Sequence, residues 1–199
     1  MPSLSSDPAN TIATSAAFAA SAAAAGHALV IVGRGSREAE LRALAAELGI
    51  AERVRFEAFT DNPWTWVGRA KLFVFPSRWE GFPNALGEAL ACGTAALAAD
   101  CRFGPRELIR HGASGWLVPP EDVAALSGAL DRLLGDEPLR RALGAGGAAR
   151  AEELRLEAIL PLYADLFAEQ AALRRRGRAP GMEGGWEQEP RAPALEAAD

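Results

Sequence analysis

The chain has 199 residues, 49% of them apolar, with a formal net charge of −5 and an isoelectric point near 5.2. This predicts one domain with a sizeable core and a tail. The acidic balance, without a basic stripe interleaved with aromatics, excludes nucleic acid as a partner. The two cysteines, Cys92 and Cys101, form no Cys-x-x-Cys, and His27 and His111 are the two histidines, so no zinc-ligand pattern is present. Two such thiols suit a reducing cytoplasm.

Residues 1–10 are polar with two prolines and are expected to be disordered. No basic segment of the kind that opens a secretory signal is found there. The run from Thr11 to Gly33 has the length of a membrane span. It is weakly apolar and broken at Gly26-His27, so a helix over 11–25 followed by a strand over 28–32 is the better reading. Gly33-Arg34-Gly35 follows, then a helix from near Ser36 to before Gly49 with Leu41, Leu44 and Leu48 on one face. Val54 to Phe59 alternates like a strand, and Asp61-Asn62-Pro63 opens a short helix over 64–70.

Leu72 to Phe75 reads as a buried strand, followed by a loop and a helix that stops at Gly93. Ala95 to Ala99 is a weaker strand, Pro105 opens a short helix to Arg110, and Trp116 to Val118 is the last strand. Helices are expected over 121–134, 137–150 and 151–173, the last one bent or interrupted at Pro161. From Arg174 onward Gly, Pro, Arg and Glu dominate, which predicts a disordered tail over 174–199 beyond a domain over 11–173. The alternation of strands and helices predicts an α/β fold: a Rossmann-like three-layer domain with a mainly parallel sheet.

Gly33-Arg34-Gly35 after a strand invites a dinucleotide reading. The fingerprint needs a third glycine where Glu38 stands, so a tight strand-to-helix turn accounts for both glycines. The stretch from Ser77 to Thr94 is more informative. In open α/β sheets ligands bind outside the carboxyl ends of the strands. A helix amino end there offers N–H groups to a phosphate. Gly81 lets the backbone come close to a ligand, and Pro83 suits the first helical position. The N–H groups of Asn84, Ala85 and Leu86 are then expected to be free. Glu80 in the loop and Glu88 just over one turn inside the helix are placed to accept hydrogen bonds from hydroxyls. A helix start with a dipole-favoured glutamate is the plainer reading of the same residues.

The segment from Phe75 to Thr94 closely resembles the E-x7-E region of retaining, group 1 (family 4) glycosyltransferases. Three further segments agree in order: Leu29 to Gly35, the Asp-x-x-x-Gly-Pro-x-Glu loop from Asp100, and Gly112 to Pro119. The resemblance covers roughly residues 28–170. It implies the C-terminal half of a GT-B fold, in which two Rossmann-like domains hold the substrate between them.

By that resemblance Glu80 contacts and orients the donor sugar and is the catalytic candidate. Backbone groups of Gly81, Phe82, Asn84 and Ala85 line the sugar-phosphate site, Leu86 packs near ribose and base, and Glu88 binds ribose hydroxyls. The implied reaction is that of a hexosyltransferase, moving a sugar from a nucleotide-diphosphate donor to an acceptor hydroxyl with retention. No metal or other cofactor is implied, because positive protein groups stabilise the leaving diphosphate. The implied partners are the nucleotide sugar, an N-terminal GT-B domain in trans, and a lipid- or polysaccharide-linked acceptor at the inner face of the membrane.

The sequence departs from the family pattern at several points. No Arg or Lys precedes Arg34, where the family carries a basic clamp for the diphosphate. The first strand of the domain is expected to be absent, residues 11–25 standing as the helix after it. Trp79 stands for a more usual Tyr, Gly87 for Leu, and Ala95-Ala96 for Pro-Val. The chain is therefore expected to be an incomplete enzyme, with some of Leu160, Tyr163, Leu166 and Phe167 left exposed. The alternative is a non-catalytic nucleotide-sugar-binding module that works with a separate N-terminal partner. An unrelated Rossmann-like redox or ligase domain is disfavoured by the incomplete glycine fingerprint.

Overall fold

The computed structural model describes residues 8–177. Helix α1 (Pro8–Ala20) starts ahead of the expected Thr11 and stops at Ala20, where a 3-10 turn, Ala23–Gly26, takes over. Side-chain hydrogen bonds explain the early stop. The Ser21 hydroxyl donates to Asp131 Oδ1 at 2.8 Å, as does the Ala23 N–H, and the Ala24 N–H donates to Ser21 Oγ. Local bonds of this kind compete with the helical ladder.

The chain continues through β1 (Leu29–Val32), α2 (Glu38–Glu47), β2 (Val54–Glu57), α3 (Trp64–Val67) and β3 (Phe73–Phe75). It then forms α4 (Asn84–Ala91), β4 (Ala96–Ala99), α5 (Pro105–Leu108), β5 (Trp116–Val118), α6 (Val123–Gly135) and α7 (Glu137–Glu153). Asp122 caps α6 by accepting from the Ala125 N–H, and Asp136 caps α7 by accepting from the Leu139 N–H.

All strand pairs are parallel, and helices cover the strands, so the α/β architecture stands. The expected single sheet is instead two: β1 pairs with β2, while β3, β4 and β5 form a second sheet in that order. Between β1 and β3 lies a cavity of about 950 Å³, lined by both strands and by α1.

Strand β4 is buried along its whole length. Leu97 enters one core cluster with Phe18, Leu126, Leu130 and Leu133. Ala96 and Ala98 enter the other with Phe75, Leu86, Leu90, Leu108 and Ile109. Strict alternation of faces along a strand requires this division. The strand looks feeble in sequence because its side chains are small, yet it is the centre of its sheet. Small side chains also bring α7 close. A Cβ built on Gly144 would lie 2.3 Å from the Gly93 carbonyl oxygen, and one on Gly146 would lie 2.0 Å from that of Ala113.

Among the described residues, those from Leu156 to Gly177 belong to a second unit. Its helix α8 (Leu156–Gly177) runs through Pro161 without a break and starts later than the expected 151, because the chain leaves the helix at Leu154. Leu160, Tyr163, Leu166 and Phe167 are exposed, as expected, and the Tyr163 and Phe167 rings lie 6.3 Å apart. Of the residues expected to be disordered, 1–10 and 174–199, residues 8–10 lie in α1 and 174–177 in α8, where the helical ladder carries on past the composition change; 1–7 and 178–199 lie outside the described residues.

Candidate functional site

The loop from Pro76 to Pro83 leaves the carboxyl end of β3 and leads into α4. Pro83 is fully buried and is the residue before the helix, not its first residue as the sequence suggests. Its carbonyl accepts from the N–H groups of Leu86 at 3.0 Å and Gly87 at 3.1 Å, while the Asn84 N–H donates to Phe82 O. Of the three amides expected to be free, Asn84 and Leu86 are thus engaged within the turn. That of Ala85 is not paired among the described residues.

A second loop meets this one. Gly104, at the start of α5, has φ +94°, a backbone conformation that favours glycine. A Cβ there would lie 2.7 Å from Pro83 Cδ and 3.2 Å from the Gly81 carbonyl oxygen. The Glu107 carboxylate accepts from the Gly104 N–H and closes the turn. The loops after β3 and β4 are therefore in contact at the carboxyl edge of neighbouring strands. Asp100, just after β4, accepts from two of the guanidinium nitrogens of Arg106, Nε and Nη2, which raises the Arg106 pKa.

Glu80 is half-buried beside the Cys101 thiol. Burial, and then the Glu80 charge, push that thiol above its ordinary pKa. Cys101 is buried and donates to the Phe103 carbonyl at 3.4 Å, so its place is structural.

Glu88 is half-buried on α4, and its Oε2 accepts a hydrogen bond from Trp64 Nε1 at 3.2 Å. Trp64 was not singled out by the sequence; it comes from α3, which Pro63 precedes. Its one signal was an indole on a four-residue helix with little core to fill. Phe82 is 60% exposed, and with Trp79 at 74% and Phe103 at 53% it places aromatic surface on these two loops. Leu86, expected beside ribose and base, is instead wholly buried in the core with Leu90 and Leu108, so its side chain is closed to a ligand. Ala85 is likewise in that core, and Gly81 and Asn84 are exposed.

A smaller cleft of about 260 Å³ lies beside the loop. Pro76, Arg78, Ala99, Val118 and Glu121 are among its walls. Arg78 faces Glu121 at 3.7 Å across it. Among the described residues no group of three His, Cys, Asp or Glu is placed to hold a metal ion.

A parallel α/β layer with two touching loops and two half-buried glutamates beside them defines an α/β domain, and the loops lie where such sheets bind their ligands. Residues 16–150 match the family model described as Glycosyl transferases group 1, and the chain belongs to that family. Among the relatives is an exopolysaccharide phosphotransferase of Streptomyces coelicolor. It is 37% identical over 147 residues, which are 73% of this chain and 16% of that protein. Another is the N-acetylgalactosamine-N,N'-diacetylbacillosaminyl-diphospho-undecaprenol 4-alpha-N-acetylgalactosaminyltransferase of Campylobacter jejuni. It is 38% identical over 114 residues, 57% of this chain and 31% of that protein. The chain thus spans a third or less of the length of these relatives.

Among solved structures, Anabaena HepE in complex with UDP superposes with a TM-score of 0.73 at 22% identity, covering 85% of this chain and 47% of that one. The likeness places the fold with the GT-B glycosyltransferases.

Proposed function

We propose that this chain is the donor-binding half of a glycosyltransferase that moves a hexose from a nucleotide-diphosphate donor to an acceptor hydroxyl with retention. The observation that carries the reading is the placement of Glu80 and Glu88 at the two ends of one loop-and-helix start, within the family-matched region. Glu80 accepts from the donor-sugar hydroxyls and sets the sugar's orientation. Glu88, already held by Trp64, turns its second oxygen to the ribose hydroxyls. The exposed backbone at Gly81 and Phe82 and the Ala85 N–H meet the sugar phosphate, where the amino end of α4 favours negative charge.

The chain spans a third or less of the length of its relatives, which supports an N-terminal GT-B domain that completes the site and supplies cations for the leaving diphosphate. The 199 residues by themselves are expected to bind donor without turning it over. The UDP in the HepE complex supports a nucleotide donor, and the undecaprenol-linked name of the Campylobacter relative supports a lipid-linked acceptor. Such an acceptor puts the reaction at the inner face of the membrane. Among the described residues no helix is long and apolar enough to cross a membrane.

Calorimetric titration of the chain with UDP tests the assignment. Binding that weakens in Glu88→Ala is expected. Equal affinity in that variant sinks the ribose role, and normal sugar transfer by the chain alone sinks the half-site.

A further inference from the structure

The cleft of about 260 Å³ beside the Glu80 loop lies at the carboxyl edge of the second sheet. Pro76 follows β3 directly, and Ala99 and Val118 are the last residues of β4 and β5. All three strands of that sheet therefore end at one small space, where open α/β sheets bind their ligands. Two side chains of opposite charge, Arg78 and Glu121, face each other across it. Asp122, a further acid in its walls, is committed to capping α6.

The backbone holds both members of the pair in place. Ser77, next to Arg78, is buried and accepts from Asn10 Nδ2 at 3.4 Å. Glu121 has φ +60°, a left-handed conformation that residues other than glycine adopt at a cost. Pro119 and Pro120, whose rings fix the backbone, lead into it, and the Asp122 cap follows it. Strained residues persist where their neighbours over-determine them, and they collect at ligand clamps and switches. Here the strained residue sets a carboxylate opposite Arg78.

The pair is loose. Along the helices Arg42–Glu38 and Arg141–Glu137 close to 2.7 Å and 2.5 Å, whereas Arg78 and Glu121 stop at 3.7 Å. Their side chains are 41% and 68% exposed. An exposed pair at that separation is weak. A guanidinium carries five N–H donors in a planar fork, which matches phosphate oxygens better than one distant carboxylate. A ligand with two phosphate groups brings more negative charge than Glu121 and displaces it.

We propose that this cleft is an anion site for a diphosphate group, with Arg78 as the binding residue and Glu121 as the internal anion that the ligand displaces. The inference rests on the donor-binding reading above for the source of the diphosphate, which is the nucleotide donor or an acceptor that carries such a group. Arg78 then stands as a cation that this chain itself brings to the reaction.

The test titrates the 199-residue chain with inorganic pyrophosphate alone, read by phosphorus NMR. Arg78→Ala is expected to weaken binding by about ten-fold or more. Arg78→Lys is expected to weaken it less, because the charge stays and the fork is lost. Glu121→Gln is expected to tighten binding by about two- to five-fold, because the competing anion is gone. The double variant Arg78→Ala/Glu121→Gln is expected to bind no better than Arg78→Ala. A role confined to the fold shifts the urea midpoint but does not tighten binding. Displacement of pyrophosphate by UDP assigns the site to the donor, and simultaneous binding of both assigns it to the acceptor. Glu88→Ala keeps the two readings apart: it is expected to weaken UDP and leave pyrophosphate unchanged, and equal UDP affinity there sinks the ribose role alone. Unchanged pyrophosphate affinity in Arg78→Ala, no tightening in Glu121→Gln, or no binding by the unaltered chain at millimolar concentration overturns the proposal.

Discussion

The indole N–H of Trp64 and the carboxylate of Glu88 are joined at 3.2 Å across 24 residues of sequence. The bond ties α3 to α4 and restricts one oxygen of Glu88, the residue proposed to bind the ribose hydroxyls. Restricting a binding side chain in advance lowers the cost of ordering it on association.

Trp64→Phe keeps an aromatic ring and removes the donor. Trp64 is 47% exposed, so the fold is expected to tolerate the change. UDP affinity is expected to fall by roughly five-fold, the equivalent of about 1 kcal/mol for one hydrogen bond. Calorimetry on the two proteins checks this, with the urea midpoint as the control for folding.

At Gly104 the expectation is a loss of stability. Alanine there combines a left-handed backbone with a Cβ 2.7 Å from Pro83 Cδ. Gly104→Ala is expected to lower the unfolding free energy by about 1–3 kcal/mol. Because the displaced partner is Pro83, UDP binding should weaken in the same variant. Urea denaturation and calorimetry read the two effects.

Helical glycines provide a contrast of sign. A Cβ on Gly128 of α6 meets open space, so Gly128→Ala is expected to raise stability by about 0.5–1 kcal/mol. A Cβ on Gly146 of α7 meets the Ala113 carbonyl at 2.0 Å, a backbone atom that cannot swing aside. Gly146→Ala is expected to lower stability by about 2 kcal/mol or more. Paired thermal melts distinguish the two.

Asp131 links α6 to the turn after α1. The Ala23 N–H and then the Ser21 hydroxyl hold its carboxyl below the ordinary range. A depressed folded pKa contributes stability that is full above the unfolded value, about 3.9, and is lost as pH falls through the folded one. Asp131→Asn is therefore expected to lower the melting temperature at pH 7 and to shrink the fall between pH 4 and pH 2. Melts across that range in both proteins check the direction.

Local signals made most elements legible in the sequence. Pro105 announced α5, and the apolar runs at 29–32 and 72–75 announced β1 and β3. The same local logic failed where a distant group intervened. It ran the first helix through Ser21, because it had no knowledge of Asp131. It left the Asn84 and Leu86 amides free, because the turn at Phe82 and Pro83 that engages them is a matter of backbone geometry. The family resemblance, for its part, offered Leu86 to a ligand, whereas the packing of α4 turns that side chain wholly into the core.

The sequence by itself determined the order of strands and helices, the family resemblance of the 75–94 segment and the presence of Glu80 and Glu88 in it, because periodicity, turn chemistry and motif spacing are local properties. Only the tertiary structure decided that Trp64 reaches Glu88, that Gly104 seats one loop on the other, and that the sheet divides between β1 and β3. Those relations depend on which strand edges and loops meet in space, and pairing between segments far apart in the chain leaves no period in the sequence to read.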